Sequence, residues 1–135
     1  MAIVQKGNGW EEAGLTVVTG TAAEVSAIQV PPNASQMGLE IKNADDTSAL
    51  DALIISYRIT TGGEYNILAD ADANFTSPQL PITNVEISTG TAFTALPAEA
   101  YITMKIDVAG VETIQIKAST AGGAATTMDL NYSFN

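Results

Sequence analysis

The sequence predicts an all-β fold: an antiparallel β-sandwich or jelly roll of about eight or nine strands, preceded by an irregular N-terminal arm. Three observations predict it. Apolar and polar residues alternate with period two in one segment after another, as on a strand with one face on a core and one in water. Turn-forming residues interrupt those segments roughly every 8–14 positions. Helical spacing is sustained nowhere; residues 48–54 come nearest, and their β-branched content and two-residue period favour a strand.

Residues 1–14 carry Gly7, Gly9, a lone Trp10 and the pair Glu11–Glu12 without regular alternation. They are expected to form an arm lying on the domain or on a neighbour, with 15–135 as one domain. Strands follow at 15–18 and 22–30; in the second, Val25 and Ala27 are out of step with Ile28 and Val30, which a β-bulge explains. After Pro31-Pro32-Asn33, the residues Met37, Leu39 and Ile41 alternate with Gly38, Glu40 and Lys42. Between 50 and 60, Leu53, Ile55, Tyr57 and Ile59 share one face, yet Leu50, Ala52 and Ile54 make the other face apolar too. That pattern belongs to a central strand covered on both sides, by a folded-over loop or by a subunit contact. Weaker strands are expected at 64–68, 85–88 and 92–96.

The clearest alternation comes late. Ala100, Ile102, Met104, Ile106 and Val108 oppose Tyr101, Thr103, Lys105 and Asp107, and Ile114 and Ile116 alternate with Gln115 and Lys117. Thr126, Met128, Leu130, Tyr132 and Phe134 then oppose Thr127, Asp129, Asn131 and Ser133. The expected core therefore includes Ile102, Met104, Ile106, Ile114, Ile116, Met128, Leu130 and Tyr132.

Composition excludes several chemistries. The 135 residues contain no cysteine and no histidine, which removes disulfides, thiolate metal sites and Ser–His or Cys–His nucleophilic pairs. A net charge of −10, with Lys6, Lys42, Arg58, Lys105 and Lys117 scattered along the chain, is repelled by phosphate backbones, so nucleic acid is not an expected partner. No stretch approaches the roughly 20 apolar residues of a membrane-spanning helix, and no membrane partner is expected. An enzyme is not expected either.

Two acidic clusters invite a metal. Asp70, Asp72 and Asn74 place oxygens at the first, third and fifth positions of a calcium loop, but Phe75 stands where glycine is needed and Pro81 where a bidentate glutamate belongs. The expectation is a solvated loop with no required cofactor, calcium being the ion these three would take. Residues 43–51, with Asp45, Asp46 and Asp51, read as an Asx-type turn. Trp10, Tyr65 and Tyr101 are the aromatics left over from core-facing phases, a possible sugar platform though packing is the commoner use. Trp10, Glu11 and Glu12 are the expected partner-binding residues of the arm.

Residues 100–108, the short turn after them, and the Ala/Ser/Thr/Gly-rich run from Thr113 to Met128 resemble small virion proteins of tailed bacteriophages. The resemblance is to head decoration (cement) proteins and accessory virion β-sandwiches. It implies a non-enzymatic protein made in the host cytoplasm and placed on the capsid surface of the virion. Its implied partners are the major capsid protein and copies of itself, as a homo-oligomer fastened by the N-terminal arm. The alternative is a carbohydrate- or receptor-binding β-sandwich module, since such modules share the same style and fold never fixes function.

Overall fold

A computed structural model describes residues 2–7, 9–70, 80–88, 96–120 and 125–135. Ten strands and no helix make up this described part: β1 (Ala2–Lys6), β2 (Gly9–Thr19), β3 (Ala23–Gln29), β4 (Gln36–Asn43), β5 (Ala52–Arg58), β6 (Asn66–Asp70), β7 (Ile82–Ile87), β8 (Tyr101–Asp107), β9 (Thr113–Thr120) and β10 (Thr126–Phe134).

The strands belong to one mixed sheet in the order β6-β5-β9-β2-β10-β4-β8-β7, with β1 alongside β2 and β3 alongside β9. The sheet curls into a half-barrel, and its continuity runs through β2, which changes partner along its length. Residues from Gly9 to Val17 pair antiparallel with β10, whereas Val18 and Thr19 pair parallel with Ser119 and Thr120 of β9. Where the antiparallel sandwich of the sequence reading implies two sheets, β2 links all the strands into one.

The expected irregular arm is corrected. Residues 2–6 and 9–19 form a hairpin, with Ala2 opposite Ala13 and Lys6 opposite Gly9. Its alternation is hidden because a bulge at Ala13 and Gly14 breaks the phase, two residues standing opposite Asp129 alone. The phase change anticipated in β3 is also a bulge, where the register with β9 shifts between Glu24 and Ser26.

The inward side chains of β2, β3, β4, β5, β8, β9 and β10 share one core. Ile102, Ile106, Ile114, Ile116, Met128 and Leu130 are fully enclosed, Met104 nearly so, and Tyr132 packs against this cluster half-buried. β5 is a central strand between β6 and β9; Leu53, Ile55 and Tyr57 on one face are buried, Ala52 and Ile54 on the other are half-buried, and Leu50, bridged to Leu96, is fully buried. Ile59 departs from expectation: β5 ends at Arg58, and Ile59 lies beyond it, 56% exposed.

Candidate functional site

Glycine at position 14 decides where the N-terminal acidic residues point. Gly14 has φ 69°, a conformation open to glycine and strained for residues with a Cβ. Its N–H reaches Asp129 Oδ1 at 2.9 Å. Beyond the bulge Leu15 and Val17 face the core; before it the phase is inverted, so the even-numbered Glu12 takes the inner face. A carboxylate is thereby carried to the margin of an apolar core, 3% exposed.

Two hydroxyls hold it there. Ser26 Oγ of β3 donates to Glu12 Oε1 at 2.7 Å, and Tyr132 Oη of β10 donates to Oε2 at 2.7 Å. Burial, followed by the hydrogen bond and negative charge of Glu12, pushes the Tyr132 phenol above the ordinary tyrosine range, so it remains a proton donor. The ion pairs among the described residues lie elsewhere: Lys6 with Glu11 at 3.0 Å, and Arg58 with Glu112 at 2.8 Å. Glu12 is solvated by hydroxyls and neutralised by no described cation.

Around Glu12 the curled sheet gapes. The β1–β2 hairpin and the end of β10 form one wall, with Ile3, Trp10, Tyr132 and Phe134; β3 from Glu24 to Gln29, followed by Pro31, forms the other. The groove between them measures about 700 Å³. The rings of Tyr132 and Phe134 meet edge to face, centroids 6.0 Å apart. Arg58 also lines the groove, but its guanidinium is engaged by Glu112 and lies 5.1 Å from the ring centre of Tyr65.

The opposite face of the sheet carries a second hollow of about 560 Å³, reaching Lys6, Trp10, Glu40, Thr103, Lys105 and Asn131. Gly9 and Gly38 keep it open; a Cβ on Gly9 would stand 2.9 Å from the Tyr132 carbonyl oxygen. Asn131 Nδ2 donates to Glu40 Oε1 at 3.0 Å across its floor.

The three expected arm residues are thus divided. Trp10, 39% exposed, stands at the rim and reaches both hollows. Glu11 faces outward with Lys6, and Glu12 is buried inward. Asp70 ends β6, while Asp72 and Asn74 lie outside the described residues. Among the described residues no group of three or more acidic side chains is placed to hold a metal. Residues 43–51 do form an Asx-type turn: Asp45 N–H donates to Asn43 Oδ1 at 3.1 Å and Ser48 N–H to Asp45 Oδ2 at 3.0 Å. Hydrogen bonds from Thr126 and Ser48 hold the Asp45 carboxyl below its usual range. Tyr65 lies beneath Arg58, and Tyr101 is 43% exposed on β8.

Sequence reasoning missed Ser26, Tyr132 and Phe134 as groove residues. The available signal was Gly14, two positions after Glu12 in an otherwise strand-like run, which marks a phase break.

No family model and no curated protein matches this chain. Among solved structures it is similar to the crystal structure of the SPBc2 prophage-derived protein YomS, at 12% identity and a TM-score of 0.44, over 96% of this chain and 99% of that one.

Proposed function

We propose that the chain is a non-enzymatic structural subunit of a tailed-phage virion, a capsid decoration protein that stabilises the head through protein–protein contacts. One observation carries this reading. Edge strand β1, whose described partner is β2 alone, holds Ile3 and Val4 at 55% and 45% exposure, and Trp10 on the adjoining β2 is 39% exposed. Apolar side chains on an open strand edge are costly in water and suit a docking element, and tryptophan is enriched where binding energy concentrates. The missing histidine and cysteine support a non-catalytic role, and the phage assignment draws on the resemblance of residues 100–128.

In this reading the protein is made in the host cytoplasm and joins the capsid surface, in contact with the major capsid protein and with sister copies as a homo-oligomer. Binding the assembled shell more tightly than its free subunits shifts the equilibrium towards the shell by mass action. The test is co-sedimentation with capsids lacking the protein. Residues 9–19 belong to β2, so the informative truncation removes residues 1–8. The truncated protein is expected to melt cooperatively and to co-sediment less; full co-sedimentation by a folded truncation would remove the hairpin from the mechanism.

The outer hollow favours the second reading, a carbohydrate- or receptor-binding module. Its hydrogen-bonding groups on Glu40, Thr103, Lys105 and Asn131, with Trp10 at one end, are the kinds a glycan uses. Saturable retention on a glycan array, abolished by Asn131→Ala, would favour this reading over the first.

A further inference from the structure

We propose that the groove between the β1–β2 hairpin and β3 receives a cationic side chain, the ammonium of a lysine or the guanidinium of an arginine, presented on an apolar stretch of a partner protein. The inference rests on the interaction-subunit reading for the occupant being a protein, and adds the chemistry by which it is recognised.

The first ground is Glu12. Its carboxylate is 3% exposed, and its partners, Ser26 and Tyr132, offer hydrogen bonds but no charge. A buried charge keeps a large desolvation cost until an opposite charge is set beside it. The second ground is the wall: Trp10, Tyr132 and Phe134 line the same groove, and the faces of such rings attract ammonium and guanidinium groups. Glu24 adds a second negative charge at the exposed edge of β3, and the lining cation, Arg58, is committed to Glu112 and Tyr65. The field in the groove is therefore negative, and the chain's net charge of −10 draws a basic partner towards it.

Size and polarity select a side chain on a polypeptide. About 700 Å³ exceeds what a lone amine fills, and exposed Ile3 beside Trp10 offers apolar surface for the stem and flanking residues of an inserted lysine or arginine. A hard divalent ion needs several converging oxygen donors, and here one carboxylate is already occupied by two O–H groups among aromatic faces.

The lone tryptophan makes the site its own reporter. Trp10 fluorescence is titrated with acetyl-Val-Arg-Val-amide and with the same peptide carrying uncharged citrulline, in low and high salt. Saturable binding of the arginine peptide is expected, weaker by about tenfold or more for citrulline and for Glu12→Gln, and weakened by salt. Equal responses to the two peptides, equal responses of wild type and Glu12→Gln, or no saturable response would each overturn the proposal. If Glu12→Gln does not fold, Glu24→Gln replaces it, with roughly threefold weakening expected from one lost rim charge; an unchanged titration then overturns the proposal. Capsid co-sedimentation separates the two readings. Co-sedimentation of the wild type without selective arginine binding overturns the cation site and leaves the decoration role standing. Selective arginine binding without co-sedimentation supports the cation site and removes the capsid as its partner.

Discussion

Tyr132 and Glu12 stand 120 residues apart in the chain and are joined by a 2.7 Å hydrogen bond, the phenol of β10 donating to the carboxylate of β2. With Ser26 supplying the other hydroxyl from β3, three strands converge on one buried charge where the curled sheet opens.

That convergence makes Glu12 costly to replace with an apolar residue. Glu12→Leu strands the Ser26 and Tyr132 hydroxyls and is expected to destabilise the fold by about 2–6 kcal/mol, at about 1–3 kcal/mol per unmet buried group. Glu12→Gln keeps an acceptor and should cost less. Urea unfolding of both variants checks the order; a Leu variant as stable as wild type would mean the hydroxyls find water instead.

The same pair predicts an alkaline weakness. The folded state holds the Tyr132 proton above the ordinary tyrosine range while the unfolded chain releases it near pH 10. The contribution is fully present below about pH 10 and declines as pH rises beyond it. Stability measured from pH 8 to 11 should fall less steeply in Tyr132→Phe than in wild type, whatever the offset between the two curves.

Gly14 should resist substitution although no atom crowds it. A Cβ there meets nothing within 4 Å, but φ of 69° is unfavourable to any L side chain. Gly14→Ala is expected to lose about 1–2 kcal/mol. Gly9→Ala should be worse for a different reason, its Cβ falling 2.9 Å from a backbone oxygen of β10. Thermal melts of the two variants separate conformational strain from collision.

Asn43 is the polar keystone of the opposite end. Fully buried, its Nδ2 reaches the carbonyls of Ser48, Leu96 and Pro97 at 2.7, 3.1 and 3.1 Å. Asn43→Leu is expected to destabilise by about 1–3 kcal/mol, because the Ser48 carbonyl and the Asp45 N–H lose their partner while the Leu96 and Pro97 carbonyls keep the amides of Leu50 and Ala100. The loss should appear in hydrogen exchange first around Leu50 and Leu96, whose amides bond to each other's carbonyls.

Chelator should leave the melting temperature unchanged, because the sequence lacks the glycine and glutamate of a calcium loop around Asp70, Asp72 and Asn74. A rise of several degrees on adding calcium would assign these three as ligands, since binding to the native state alone stabilises it.

The β class was legible because burial on one face of a strand imposes period two, and Ile102, Met104 and Ile106 display it without interruption. The hairpin was not legible. Its bulge inverts phase at Gly14, and alternation read straight through residues 9–17 cancels. The partner switch of β2 was hidden for another reason: pairing partners are chosen by long-range packing, which local pattern does not encode. Trp10 was found at sequence level as an exposed aromatic, whereas the groove required the juxtaposition of β2, β3 and β10.

The last strand in sequence occupies a slot between β2 and β4 in the middle of the sheet. During synthesis both walls of that slot exist before the strand that fills it, so the nascent chain carries two open edges until residues 126–134 emerge. Most pairings join strands that are not consecutive in sequence, an arrangement that slows folding. The arrangement also suggests a division of the chain: a fragment ending before Thr126 is expected to lack the core side chains Met128 and Leu130, and a peptide of residues 126–134 is expected to supply them. Mixing the two pieces and following recovery of β-structure by circular dichroism checks that expectation.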